Sequence, residues 1–337
     1  MTGRRPTSLL LALLVTGVLA ACGGTSAEEP PAAQASAEQP PATTASTGFP
    51  LTLENCGVTT TYEAAPTRAI SMNQHATEVM LALGLEKSMI GTAYLDDQML
   101  PEYKAAYDAI KVVAKEYPSY EALLAEEPDF VYGGFGSTFD EKEGRSRTAL
   151  QEAGIKTYLN VEECAEGAVT MQLMDQEIRN VAKIFGAQDK ADPLLTELHG
   201  TLASLREKLA GVPPVKLFVY DSGDKTAFTA GGKGIGNEII KLAGAENIFA
   251  DVDKVWGDVS FEQVAERAPD WIVIYDYGDE PVDAKKKFLL DNPALKDVPA
   301  IKEQRFAVLP LSSVVLGVRA PSAVEALAEQ IYADQFR

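Results

Sequence analysis

The chain of 337 residues carries 49 acidic against 30 basic side chains, a formal net charge of −19, and so lacks the basic surface that would hold nucleic acid or an anionic lipid face. Two histidines and three cysteines cannot furnish the several imidazole or thiolate ligands of a naked zinc or manganese site. With 46% apolar residues, the chain has enough hydrophobic material for two domains of ordinary size.

Arg4 and Arg5 precede an apolar stretch over residues 8–21 that is too short for a permanent membrane span and ends in Leu19-Ala20-Ala21-Cys22. Residues 1–21 therefore read as an export signal. The Leu-Ala-Ala-Cys step resembles the bacterial lipobox, which implies acylation of Cys22 and a lipid anchor on the extracytoplasmic face of the cell membrane. From residue 23 to 48 the chain is almost wholly Gly, Ala, Pro, Ser, Thr, Gln and Glu, a composition that builds no core and reads as a tether. Cys56 and Cys164 are the remaining thiols, and in an exported chain they predict one disulfide across a long loop.

Short apolar runs alternate with helical patterns from there on, the signature of α/β units with mainly parallel strands. Strands are predicted at residues 69–72, 89–93, 130–132 and 157–159, with helices over 77–83 and 120–125. The spacing of Val169, Leu173, Ile178, Val181 and Phe185 predicts a helix over residues 168–186, about 30 Å long, that links a first lobe (49–167) to a second (187–337). A further helix follows, carrying Leu194, Leu198, Leu202 and Leu205 on one face. The second lobe repeats the style with strands at 216–220, 271–275 and 306–310, and helices after Gly236, after Ser260 and from Ala323 onward.

One pair of segments matches in spacing. Ser119-Tyr120-Glu121 precedes Pro128-Asp129-Phe130, and Ser260-Phe261-Glu262 precedes Pro269-Asp270-Trp271. In each, Ser suits a helix N-cap, Glu its first turn, and Pro-Asp the launch of a buried strand. Taken singly, each glutamate does no more than complement a helix dipole. As a pair, one per lobe, they suit a bivalent grip on arginines of a symmetric partner.

With both Glu to Pro-Asp segments, Ser71-Met72-Asn73-Gln74-His75-Ala76-Thr77-Glu78 before Leu81-Ala82-Leu83-Gly84, and Ala230-Gly231-Gly232 before the run from Ile239 to Asn247, the chain resembles a known family from about Phe49 to its end. That family is the substrate-binding proteins of siderophore, haem and cobalamin ABC importers. The resemblance implies two parallel-sheet lobes joined by one long helix, a ligand cleft between them, a monomer, and no cofactor of its own. It also implies docking of Glu121 and Glu262 on an ABC permease dimer with its ATPase subunits.

Ligands of open α/β sheets bind beyond the carboxyl ends of strands, so the strand-to-helix loops supply the candidate contacts. In the first lobe these are Asn73, Gln74, His75, Tyr94, Asp96, Tyr132 and Phe135. The second lobe offers Asp221, Lys225, Trp256, Tyr275, Tyr277, Ser312 and Arg319. The aromatics offer flat surfaces to a large ligand, and Arg319 suits a carboxylate or phosphate. Scarcity of histidine implies that any metal arrives in its own coordination shell, as in a ferric siderophore, haem or cobalamin. Asn73-Gln74-His75 and the run from Thr92 to Asp97 depart from the commoner family pattern and are similar to a subgroup whose proposed cargo is a deazaflavin precursor. The glycines around Lys233 lack the spacing of a phosphate loop and read as a tight turn before a helix. No nucleophile elbow or zinc-protease helix is present, so the chain is not read as an enzyme. A lipid-tethered sensor is the rival of another class.

Overall fold

The computed structural model describes residues 48–337; the expected export signal, acylated Cys22 and almost all of the tether lie outside the described residues. The described chain enters through a hairpin that the sequence reading did not anticipate, β1 (Leu51–Asn55) against β2 (Val58–Tyr62), with Asn55 opposite Val58. Cys56 and Gly57 between them take left-handed backbone, φ 50° and 76°, as a two-residue turn between twisted strands requires. This turn presents Cys56 to Cys164, and the two form the expected disulfide with Cα atoms 5.3 Å apart.

Five parallel strands form the first sheet: β3 (Ala69–Met72), β4 (Met89–Ala93), β5 (Val112–Ala114), β6 (Phe130–Gly133) and β7 (Lys156–Leu159), in the order β5-β4-β3-β6-β7. Helices α1 (Gln74–Ala82), α2 (Pro101–Asp108), α3 (Tyr120–Ala125) and α4 (Arg147–Glu152) make the crossovers. Every residue of β3 and β6 is buried. Strands covered on both faces have no alternation to display, which is why these read as short continuous apolar runs.

Two helices follow, α5 (Met171–Ile184) and α6 (Gln188–Lys208). The predicted connector over 168–186 contains α5, whose Glu177 accepts hydrogen bonds from Tyr132 and Tyr158 and whose Asn180 Nδ2 donates to Tyr158, while Val169 ahead of it donates its N–H to the Lys233 carbonyl. Gly186, at φ 66°, ends that helix and turns the chain into α6. The longer α6 packs against both α5 and α11 (Ala320–Ile331). Periodicity alone gave both helices an apolar face and did not distinguish which neighbours each face meets.

In the second lobe the strands are β8 (Val215–Tyr220), β9 (Ala227–Ala230), β10 (Ala245–Asn247), β11 (Trp256–Val259), β12 (Trp271–Asp276) and β13 (Phe306–Pro310). Four of them form a parallel sheet ordered β10-β8-β12-β13, and β9 pairs antiparallel with β11. The flanking helices are α7 (Ile235–Leu242), α8 (Phe261–Arg267), α9 (Val282–Asp291), α10 (Pro299–Lys302) and α11 (Ala320–Ile331). The glycines before α7 serve close packing: a Cβ at Gly232 would stand 2.0 Å from the Ala250 carbonyl oxygen.

The matched segments are structural equivalents. Ser119 and Ser260 each cap their helix by accepting a backbone N–H, from Ala122 and Gln263. The residue before each proline is left-handed, Glu127 at φ 50° and Ala268 at φ 48°. Asp129 then accepts the N–H groups of Thr67 and Arg68, and Asp270 that of Lys216, so each Pro-Asp step pins its strand to the neighbouring one.

The interlobe cleft as candidate binding site

The carboxyl ends of β4, β12 and β13 open onto a common hollow of about 400 Å³ walled by Asp96, Asp97 and Gln98 from the first lobe and by Asp276, Tyr277, Gly278, Pro310 and Arg319 from the second. An adjoining shelf of about 430 Å³ shares Asp97 and Gln98 and is mainly apolar, with Leu95, Met99, Pro101 and Tyr107, and has Lys104 on its border. Together they lie where two facing sheet rims place a ligand.

A set of buried bonds crosses from rim to rim. Arg319, its side chain 6% exposed, forms a paired interaction with Glu78 of α1, which is fully buried, with Nε 2.6 Å from Oε2. Its Nη2 also donates to the Gln98 carbonyl at 2.6 Å, and Nη1 lies 3.5 Å from Asp97 Oδ1. Ser312 gives its hydroxyl and its backbone N–H to Asp97. Glu162, in the loop after β7, accepts the N–H of Ile235 at 2.8 Å and that of Leu316 at 2.7 Å, while Asn160 Nδ2 donates to the Leu316 carbonyl at 2.9 Å.

Burial governs the titration of these groups. Glu162 is pushed up to about 7 by desolvation, which its two backbone donors offset only in part. Glu177 is likewise raised to about 7 by burial, against the lowering effect of Tyr132, Tyr158 and the Val161 N–H. Asp96 is raised to about 6 by burial although it accepts the Gln74 N–H at 3.0 Å, and Asp97 beside it adds to the rise.

The structure places the predicted contacts unevenly. Asp96, Tyr277 and Arg319 wall the hollow, and Ser312 lies at its edge through Asp97. Arg319, however, is not a spare cation for an anionic ligand, because Glu78 and Asp97 already neutralise it. Tyr132 and Tyr275 are core residues, 0% and 1% exposed, because the last residues of these strands still lie under flanking helices. His75 is 2% exposed and fills the space left by two glycines: a Cβ on Gly134 would sit 2.4 Å from its Cε1, and one on Gly317 3.1 Å from its Cβ. Desolvation lowers it to about 4, so it packs as a neutral ring, edge-on to Phe135 at 4.8 Å.

Asn73 and Gln74 are fully buried supports of the rim. Gln74 Nε2 donates to the Gln98 carbonyl at 2.6 Å and its Oε1 accepts the Asp97 N–H at 2.9 Å. Tyr94 stacks on Tyr117 at 4.6 Å, and Trp256 on Phe228 at 5.8 Å. Asp221 accepts the Tyr277 hydroxyl at 2.6 Å, and Lys225 is exposed on the same loop. Glu78 and Glu162 escaped the sequence reading as contacts, while Asp97 lies in the rim loop from Tyr94 to Asp97 that it singled out. Glu162 lies just past a predicted strand end and Glu78 in a predicted helix, but their partners lie far along the chain.

Glu121 and Glu262 stand exposed in the first turns of α3 and α8, and no ion pair involves either among the described residues. Glu262 borders a separate hollow of about 720 Å³ with Phe261 and Phe288 at its floor.

Residues 70–312 match the family model described as periplasmic binding protein. An uncharacterized ABC transporter substrate-binding lipoprotein of Bacillus subtilis, YvrC, is 25% identical over 96% of this chain and 96% of its own length. The vitamin B12-binding protein of Pectobacterium atrosepticum is 27% identical over 63% of this chain and 72% of its own. Among solved structures, an ABC-type Fe3+-hydroxamate transport system protein of Saccharomonospora viridis superposes with a TM-score of 0.72 at 25% identity, covering 84% of this chain and 99% of that one. Among the described residues no helix is long and apolar enough to cross a membrane.

Proposed function

Since the chain belongs to the periplasmic binding protein family and is a binding component of an ABC importer of the iron-complex, haem and cobalamin class rather than an enzyme, we propose that it captures a metal chelate, a ferric siderophore first, in the interlobe cleft and delivers it to the permease. The observation that carries this reading is the cleft itself, a solvent-open hollow at the facing carboxyl ends of two parallel sheets. The hydroxamate relative supports the siderophore, and the vitamin B12-binding relative makes cobalamin the next cargo to test. Few histidines, with no group of three or more metal-ligating side chains among the described residues, fit a metal that arrives already coordinated.

Delivery rests on Glu121 and Glu262. Both are exposed, equivalently capped and unpaired among the described residues, which leaves each carboxylate available for a guanidinium on a symmetric permease dimer. Cys22 supplies the lipid anchor that holds the protein on the extracytoplasmic face, a reading supported by the lipoprotein relative. The test is a titration of the purified chain with ferric siderophores, haem, cobalamin and a deazaflavin precursor, followed by tryptophan fluorescence. Saturable quenching by one chelate at submicromolar concentration is expected, and silence towards all chelates would remove the metal-chelate reading.

A further inference from the structure

The hollow is walled by more carboxylates than cations. Asp96 and Asp97 approach from the β4 loop and Asp276 from the β12 loop, where Asp279 and Glu280 stand exposed just beyond. The hollow's cation, Arg319, is held by Glu78 and Asp97, and Lys104 on the shelf is paired with Asp108, so these groups together leave an excess of carboxylate. Lys285 does not redress the balance: it is 2% exposed and spends its ammonium on the Asp221 and Tyr275 carbonyls, 2.7 Å from each. His75 is buried and neutral. Lys225 is exposed on the β8 loop with Asp224 next to it.

One carboxylate oxygen of the wall lacks a hydrogen-bond donor. Asn73, 0% exposed behind the wall, accepts from Tyr117 and Thr138 through Oδ1 and turns its amide towards the Asp96 carboxylate. Asp97 Oδ1 is buried without a hydrogen bond, with Arg319 Nη1 3.5 Å away as its ion-pair partner. Buried polar atoms left unpaired are costly unless a ligand or water completes them, and carboxylates ask for donors.

We propose that this cleft selects neutral or cationic chelates that present N–H or O–H donors, and discriminates against chelates bearing carboxylate or catecholate charge. The inference rests on the chelate-capture reading and narrows its cargo. A narrow cleft lined by carboxylates concentrates negative potential, and a like-charged ligand entering it must be desolvated against that field with no free guanidinium to receive it. A cationic or neutral chelate with outward-facing amines or hydroxyls meets acceptors on both rims at once.

Four probes separate the outcomes: ferrioxamine B, a cationic ferric trihydroxamate; cyanocobalamin, neutral overall; a ferric triscatecholate, anionic; and haemin, with two carboxylates. The full chain is titrated with each by calorimetry at low and physiological salt. One of the first two is expected to bind at least about 100-fold more tightly than either anion. Asp276, exposed on the rim, is then changed to Lys; with an unchanged melting temperature this variant should narrow that margin by about tenfold or more. Tighter binding of the triscatecholate or haemin, or a margin unmoved by Asp276→Lys, overturns the charge inference and leaves chelate capture standing. Binding of none of the four overturns both.

Discussion

Arg319 and Glu78 lie 241 residues apart in sequence and meet side by side across the cleft, Nε 2.6 Å from Oε2, with almost no solvent access. Each is an expensive group to bury alone, so the pair stands or falls together. It also ties α1 of the first lobe to the N-terminus of α11 in the second, which makes it a latch on the relative position of the rims.

Arg319→Met should therefore destabilise the chain by about 3–5 kcal/mol, because Glu78 is left charged and buried. The double change Glu78→Met with Arg319→Met should recover most of that loss. Urea unfolding followed by circular dichroism reads both values. A single-variant cost below about 1 kcal/mol would mean that the pair is hydrated and the rims stand apart in solution.

The Glu162 carboxyl titrates near 7 in the folded chain against 4.5 ordinarily, so folding takes up a proton there. Its contribution is fully present below pH 4.5 and is lost as pH rises through about 7, on the order of 3 kcal/mol for a shift of this size. His75 works in the opposite direction: lowered to about 4 by burial, it contributes above pH 6.5 and that contribution is lost as pH falls through 4. Stability measured from pH 4 to 8 for Glu162→Gln should decline less between 4.5 and 7, the part owed to Glu177 and Asp96 remaining. An unchanged profile would show that Glu162 is ionised throughout.

Docking through paired glutamates predicts a split between binding and transport. Glu121→Ala with Glu262→Ala should abolish uptake of labelled cargo in cells while the purified variant keeps its affinity within about twofold, since neither residue lines the cleft. Each single variant should fall between. Uptake that survives the double change would favour a tethered sensor over a transport component.

The Cys56–Cys164 bridge spans 108 residues, from the hairpin turn to the loop after β7. Replacing both with Ser should lower stability by about 2–4 kcal/mol through the larger entropy of the unfolded chain. Non-reducing electrophoresis of the native chain and a denaturant titration of the variant check the two halves of this statement. A loss below 1 kcal/mol would mean that the hairpin is held by its strand pairing alone.

Much of the architecture was legible in the residues. Short apolar runs set off by helical periodicity specify parallel sheets, because such strands are covered on both faces and their crossovers are helices. The Ser-x-Glu to Pro-Asp repeat marked equivalent corners of the two lobes, since caps and proline act within a few residues of themselves. Glu121 and Glu262 were readable for the same reason.

Whether a rim residue faces ligand, core or another charge was decided only by the tertiary structure. Tyr132 and Tyr275 end predicted strands as expected, yet a two-face-buried strand gives no alternation to say that they are core. Arg319 looked free until Glu78 and Asp97 arrived from the other lobe, and Glu162 looked like a loop acid until Ile235 and Leu316 turned their N–H groups to it. Local propensity and periodicity act over one or two turns, so the sequence by itself determined the elements and their repeat. Burial and charge pairing depend on what another segment places within a few ångströms, so the tertiary structure alone decided that the cleft is acidic and its arginine already engaged.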